Sequence, residues 1–148
     1  VFLAVAGLLL APFVHRLRVR YHECDPQDIV FNANYFAYFD VTLTELWRAA
    51  FDGASYASMI ADHGVDLVVA EATARFHGSA RFDDLLDVEA GITRLGTTGM
   101  TTRFTARRGA EDLVVGELRH VFVDARTWEK TAMPPAVRAA LERYAEPA

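Results

Sequence analysis

The chain is predicted to fold as an α+β domain, on three observations. A long helix with an apolar stripe lies early, at 34–51. Four strand-like segments then follow one another with no helix between them. A short amphipathic helix closes the chain. A βαβ fold needs strands and helices to alternate, and here they do not. The length of 148 residues suits one domain of about 150 residues.

The first strand is read over His15–Tyr21. His15, Leu17, Val19 and Tyr21 alternate with Arg16, Arg18 and Arg20, which gives one buried and one wet face. The run from His22 to Asp28 breaks the alternation, and its Asp25-Pro26 pair suits a turn. Phe36, Phe39, Leu43, Leu46, Trp47 and Ala50 recur at spacings of three and four, the mark of a helix enclosed on several sides. A shorter helix over 55–62 ends near Gly64, a suitable residue just past a helix. Strands are expected at 67–77, 85–95, 99–108 and 113–124, separated by Gly-containing turns. Short connections predict antiparallel neighbours throughout. Pro134-Pro135 then opens the last helix, with Val137, Ala140, Leu141 and Tyr144 on one side. The economical packing is one curved sheet around the long helix.

Composition narrows the function. Hydrophobic residues make up 52% and charged ones 24%, which excludes a disordered chain. A net charge of −5 argues against coating nucleic acid or anionic lipid. The single cysteine, Cys24, excludes a disulfide framework within the chain and a cysteine-rich zinc site. His15, His22, His77 and His120 lack metal-ligand spacing. A reducing, cytoplasmic setting is expected. Residues 1–14 are uncharged but too short for a membrane span, which needs about 20 apolar residues. They are expected to form an extension outside a 15–148 domain, with a signal remnant or packing arm as alternatives.

The chemistry is expected in the stretch from Tyr21 to Tyr35. Asp25 ends a strand, and a long helix begins seven to nine residues later. A helix start offers unpaired N–H groups and partial positive charge. A carboxylate facing such an end suits acyl transfer: the helix end polarises a carbonyl while the carboxylate attacks it or activates water. The plain alternatives are that Asp25 forms a turn, Asn32 or Asn34 caps the helix, and Asp28 is a solvated loop acid.

The run Arg18-Val-Arg-Tyr-His-Glu-Cys-Asp25-Pro-Gln-Asp-Ile-Val-Phe-Asn32-Ala-Asn34-Tyr35-Phe-Ala-Tyr-Phe resembles the signature of 4-hydroxybenzoyl-CoA thioesterase-like hotdog proteins. Weaker likenesses follow at Phe76–Val88 and at Arg94–Gly99, so the resemblance spans about 15–145. It implies a hotdog fold, a long helix wrapped by five or six antiparallel strands. It implies homodimers joined edge to edge, often paired into homotetramers, with active sites at the dimer interface. The family's carboxylate falls on Asp25 and its carbonyl-polarising backbone N–H on Asn32. Tyr21, Val30, Phe31 and Tyr35 match positions near the reacting group. The implied reaction is hydrolysis of an acyl-CoA or acyl-carrier thioester with no metal or organic cofactor.

Three departures stand out. Many relatives have Gly at the Asp28 position, which matters if that backbone needs a positive φ. Some carry His at the Asn32 position, and Asn cannot act as a base. The aryl-CoA-specific members place a basic cluster where this chain has Gly96-Thr97-Thr98-Gly99; Arg75, Arg81 and Arg103 are the candidate replacements. Glu45, off the helix stripe, is expected to be solvated or at an interface, and His63 to complement a helix end. Carrier-protein thioester hydrolysis and non-catalytic acyl binding are the alternative functions.

Overall fold

The structure is a computed structural model and describes residues 12–54 and 56–147. Its strands are β1 (Phe13–Arg18), β2 (Val65–Phe76), β3 (Leu85–Leu95), β4 (Gly99–Arg108) and β5 (Glu111–Asp124). Its helices are α1 (Asn34–Ala50), α2 (Tyr56–His63) and α3 (Pro135–Glu142). The five strands form one antiparallel sheet in the order β1-β3-β4-β5-β2. The sheet curls around α1, which is the hotdog arrangement.

Alternation along β5 builds the inner face. Val114, Gly116, Leu118, His120 and Phe122 are all buried, with less buried residues between them. Met100, Thr102, Phe104 and Ala106 continue that face on β4, and Leu86, Val88 and Ala90 on β3. On α1, Tyr35, Tyr38, Phe39, Thr42, Leu43, Leu46, Trp47 and Ala50 are buried at helical spacing. The stripe read from sequence is thus the face that meets the sheet. Phe39 stacks on Phe104 at 4.9 Å between ring centres.

Gly116 is the floor beneath Phe39. A Cβ at this position would lie 2.3 Å from Phe39 Cε2 and 2.8 Å from the backbone oxygen of Thr73. Only glycine lets α1 come this close to β5. Past α2, Gly64 takes φ +67°, the left-handed value expected after a helix. At the other end of the chain, α3 buries Val137 and Leu141. Beyond it, Tyr144 meets Phe13 edge-on at 6.1 Å between ring centres, and Ile92 bonds to the backbone of Tyr144 and Glu146.

Three expectations are corrected. First, β2 and β3 are not neighbours: β2 pairs with β5, and β3 with β1 and β4. The connection over 77–84 passes across three strand spacings, about 14 Å. Its eight residues reach about 26 Å when extended, so a short link need not make a hairpin. Second, β1 runs over 13–18 rather than 15–21. The backbone leaves the sheet at Val19, whose N–H donates to Asp84 O, and Tyr21–Glu23 form a 3-10 turn. Tyr21 is consequently 80% exposed instead of joining the buried face. Third, neither Asn32 nor Asn34 caps α1: the N-cap is Ala33, with no side-chain cap. Of the apolar lead, Phe13 and Val14 belong to β1, and residues 1–11 lie outside the described residues.

Replacing Gly116 by Ala forces Phe39 or the Thr73 backbone to move, and both are packed. The Gly116→Ala variant is expected to lose about 1–3 kcal/mol of stability. Urea unfolding should show a lower midpoint at an unchanged slope; an unshifted midpoint would contradict the contact.

Candidate active site

The loop between β1 and α1 is closed by its own backbone. Cys24 and Val30 form an isolated antiparallel bridge. Asp25 N–H donates to Ile29 O at 2.9 Å, and Asp28 N–H to Asp25 O at 2.9 Å. Pro26 takes the second position of that turn, where its fixed φ is an advantage. Asp28 then adopts φ +61°, the left-handed conformation in which glycine is most comfortable and Asp is tolerated. This accounts for the Gly-to-Asp departure: the backbone does need a positive φ here, and Asp supplies it.

Asp25 is half-buried. Its Oδ1 accepts the N–H of Gln27 at 2.8 Å. The carboxylate therefore has the turn-forming role that the plain reading gave it. It also lines a cleft of about 160 Å³ with Gln27, Ile29, Val30, Asn32, Tyr35, Phe76, Gly78 and Ser79. One oxygen holds the turn, and the other has no protein donor among the described residues.

The helix start supplies the other half of the cleft. The N–H groups of Asn34, Tyr35 and Phe36 donate to the carbonyls of Phe31, Asn32 and Ala33. These i→i+3 bonds satisfy the leading donors of the helix from within. Among the described residues, the N–H of Asn32 has no acceptor. It is one of the orphan donors among the residues that line the cleft with Asp25.

Glu23 ties the loop to the helix. Its backbone oxygen accepts both Phe31 N–H at 2.9 Å and Asn34 Nδ2 at 2.8 Å. The Asn34 side chain therefore fixes the loop instead of capping the helix. Glu23 is 5% exposed, and its side chain accepts Arg20 N–H at 2.7 Å and Arg20 Nη2 at 3.2 Å. Burial by itself would raise its pKa. The bonds from the Arg20 side chain and backbone, with the charge of Arg20, outweigh that and hold the carboxyl below the usual range. The Tyr38 hydroxyl lies buried near this charge. Burial first, then Glu23, pushes its pKa far up.

The far wall comes from the β2–β3 connection. Val30 N–H donates to Ala80 O at 2.9 Å, and Ala80 N–H to the Tyr35 hydroxyl at 3.1 Å. Tyr35 is 2% exposed, and burial pushes its phenol up, so it stays neutral. Its ring meets Phe76 at 5.8 Å.

Of the residues singled out from sequence, Asp25, Asn32, Val30 and Tyr35 come together in this cleft. Tyr21 and Phe31 do not. Tyr21 packs edge-on against Phe82 at 5.7 Å, and Phe31 is 48% exposed. Gln27, Ile29, Phe76, Gly78 and Ser79 line the cleft without having been singled out. Phe76 and Ser79 fall in the likeness at Phe76–Val88, but nothing there tied them to Asp25, because their approach depends on how 77–84 crosses the sheet. Glu45 is half-buried and paired with Arg48, and the His63 ring lies 6.3 Å from that of Phe51. Among the described residues no three metal-ligating side chains cluster.

The Gly96–Gly99 turn has a basic surround after all. Arg94, Arg119 and Lys130 line a pocket of about 160 Å³ there, with Thr97, Thr98 and Thr101. The cations come from flanking strands and the segment after β5, not from the turn. The expected replacements are elsewhere: Arg103 pairs with Glu117 and Glu146, and Arg81 reaches Asp28 O at 3.5 Å.

A helix start and a carboxylate share one cleft, in a fold of the hotdog class. The chain belongs to the Thioesterase superfamily, whose family model matches residues 27–115. A protein of Aquifex aeolicus is 30% identical over 106 residues, covering 72% of this chain and 79% of the relative. The acyl-CoA thioester hydrolase YbgC of Escherichia coli O6:H1 is 29% identical over 124 residues, covering 82% of this chain and 89% of the relative. A thioesterase-superfamily structure from Jannaschia sp. CCS1 superposes with a TM-score of 0.86 at 22% identity, over 93% of this chain and 95% of that one.

The lowered Glu23 pKa sets a sign for stability. The ionised form is favoured in the fold, so its contribution is present above the ordinary glutamate range, about 4.3. It is lost as pH falls through the folded value. Glu23→Gln is expected to cost about 1–3 kcal/mol at pH 7, with the gap to the parent closing in acid. Thermal melts across pH 3–7 read this; a gap independent of pH would contradict the assignment.

Proposed function

We propose that the protein hydrolyses acyl-CoA thioesters in the Asp25 cleft. One observation carries the reading: a carboxylate with a free oxygen and a backbone N–H without an acceptor line the same small cleft. The thioester carbonyl oxygen accepts the Asn32 N–H, at the positive end of α1. Asp25 takes a proton from water as the water oxygen attacks the carbonyl carbon. The C–S bond breaks, the thiolate takes up a proton, and the acid leaves. In the covalent variant the free Asp25 oxygen attacks the carbonyl carbon first, the C–S bond breaks and the thiolate leaves with a proton, and water then opens the resulting anhydride to the acid and the free Asp25 carboxylate. Neither route calls on a metal or organic cofactor. Val30, Tyr35 and Phe76 supply the apolar wall, and the neutral Tyr35 adds no charge to it.

The site is proposed to work in a homodimer, or a tetramer of two dimers, in the cytoplasm. Among the described residues β2 is an edge strand of twelve residues with one side unpaired, and Val69 and Phe76 on it are half exposed. Such an edge is a template for a second copy. Pairing there would bring the partner's surface to Phe76 and to the rim of the cleft. The exposed Tyr21 and Phe31 are then available as substrate-binding residues across the seam.

CoA is favoured over a carrier protein by the Arg94–Arg119–Lys130 pocket. Arg94 and Lys130 have no carboxylate partner among the described residues, so their charges are free for phosphate.

Asp25→Asn is expected to lower kcat by about 10²–10⁴-fold on acyl-CoA. Sedimentation should give the same dimer or tetramer for parent and variant. Unchanged turnover would remove Asp25 from the chemistry, and a monomeric parent would refute the paired edge. Binding of acyl-CoA with no thiol release by the parent would make this an acyl-binding protein. Replacing Arg94 and Lys130 by Ala should raise KM about 5–30-fold for CoA thioesters and leave pantetheine thioesters unaffected. Equal effects on both would leave carrier-protein thioesters as the substrates.

A further inference from the structure

His120 is a buried histidine to which the chemistry above gives no role. It is 3% exposed on the inner face of β5. Its Nδ1 is sealed from solvent and has no hydrogen-bond partner among the described residues. Burial lowers its pKa, so the ring is neutral, with one donor and one acceptor. Buried polar groups are rarely left unpaired in this way.

The ring borders a pocket of about 300 Å³ between α1 and β2. Leu43, Leu67 and Val69 give it apolar walls, and Asp40 and Thr44 bring polar atoms beside His120. The Thr44 hydroxyl donates to Asp40 O at 2.9 Å, which leaves its lone pairs available.

Strand register joins this pocket to the Asp25 cleft. Phe76, Ala74, Ala72, Val69 and Leu67 pair with Val114, Gly116, Leu118, His120 and Phe122, all buried on the inner face. Paired residues share a face, so these five β2 residues form one line beneath α1. The irregularity between Val69 and Glu71 is what keeps Val69 on that line. Phe76 is in the Asp25 cleft and Val69 in the His120 pocket. Between them are only Ala74 and Ala72, the two smallest side chains of the line. The separation is about 12 Å along α1 from Tyr35 to Leu43 and about 23 Å along β2 from Phe76 to Val69. A short acyl group held at Asp25 stays well clear of His120, whereas an extended chain of about twelve carbons spans the distance along α1.

We propose that the His120 pocket holds the distal end of the acyl chain and selects chains bearing a hydroxyl group remote from the thioester. This rests on the thioesterase reading of the Asp25 cleft and adds its substrate class. A hydroxyl donates one hydrogen bond and accepts one. The neutral imidazole can donate to it or accept from it, and Asp40 and Thr44 offer further acceptors. A plain alkyl end takes water from Asp40, Thr44 and the pocket-facing edge of the imidazole without replacing its hydrogen bonds, a penalty that hydrogen-bonding sites use to reject the unsubstituted analogue. A terminal carboxylate meets the charge of Asp40. The matching ligand is an uncharged, hydroxylated chain end.

The test compares kcat/KM for ω-hydroxydodecanoyl-CoA and dodecanoyl-CoA in the parent, His120→Leu and Asp40→Asn. The parent is expected to favour the hydroxylated chain at least tenfold. His120→Leu should abolish or invert that ratio, and Asp40→Asn should reduce it. The ratio is the readout because a loss of folded protein scales both rates equally. Equal rates in the parent, or a ratio unchanged by His120→Leu, would overturn the proposal. If no CoA ester is cleaved, it is the thioesterase reading that fails. The pocket is then judged by titrating free ω-hydroxydodecanoate against the imidazole ¹⁵N resonances. A saturable His120 shift absent with dodecanoate supports it, and no shift, or the same shift with both, overturns it.

Discussion

The close approach of α1 to β5 is the constraint on which the rest of the molecule depends. Phe39 lies over Gly116 with no room for a Cβ and stacks on Phe104 of β4. That contact sets how deeply the helix sits in the sheet. Depth then fixes where the first turn of α1 emerges, and this is the turn that faces Asp25. Burial of the aromatic stripe supplies the driving force, because large rings remove much apolar area from water. A sheet that curls around one helix also solves a problem of size. It encloses a thick apolar cylinder with only five strands, and a few loops can seal the ends.

The active-site loop is held by a different kind of bond. Glu23 O accepts two donors from the far side of the loop, one from backbone and one from Asn34. The Glu23 carboxylate is in turn held by Arg20. Positions 20, 23, 31 and 34 thus form a frame around Asp25. Within the frame the turn Asp25–Asp28 is pinned by its own carboxylate and by a left-handed residue. Asp25 is therefore both part of the turn and part of the cleft. One oxygen is used for order, which leaves the other with a defined direction. The catalytic role proposed for Asp25 needs such support, since activity falls steeply with small displacements.

Much of this was legible in sequence where the signal is local. The α1 stripe needs only helical periodicity, and the strands from Leu85 onward need only alternation and Gly-marked turns. Asp25-Pro26 announces a turn through the geometry of proline. Other features were not legible, for reasons that are physical. The spacing of β2 from β3 reads as a hairpin, yet β2 finds a better partner in β5 across the curled sheet. The alternation of His15–Tyr21 continues past the point where the strand has already ended. Asn34 has the composition of a cap, but its amide is drawn to a carbonyl eleven residues earlier in the chain. The basic pocket at the Gly96–Gly99 turn draws on Arg94, Arg119 and Lys130, which strand pairing and the path of the chain after β5 bring together.

By itself the sequence determined the class of fold, the helix that forms its centre and the carboxylate placed just ahead of that helix. These follow from periodicity, from turn chemistry and from a motif carried on one continuous stretch. Only the tertiary structure decided which side chains share the cleft with Asp25, which stay on the surface, and where the free cations gather. It also decided that His120 sits unpaired beside a pocket. Such facts depend on strand order and on the depth of one helix, and both arise from contacts between residues far apart in the chain.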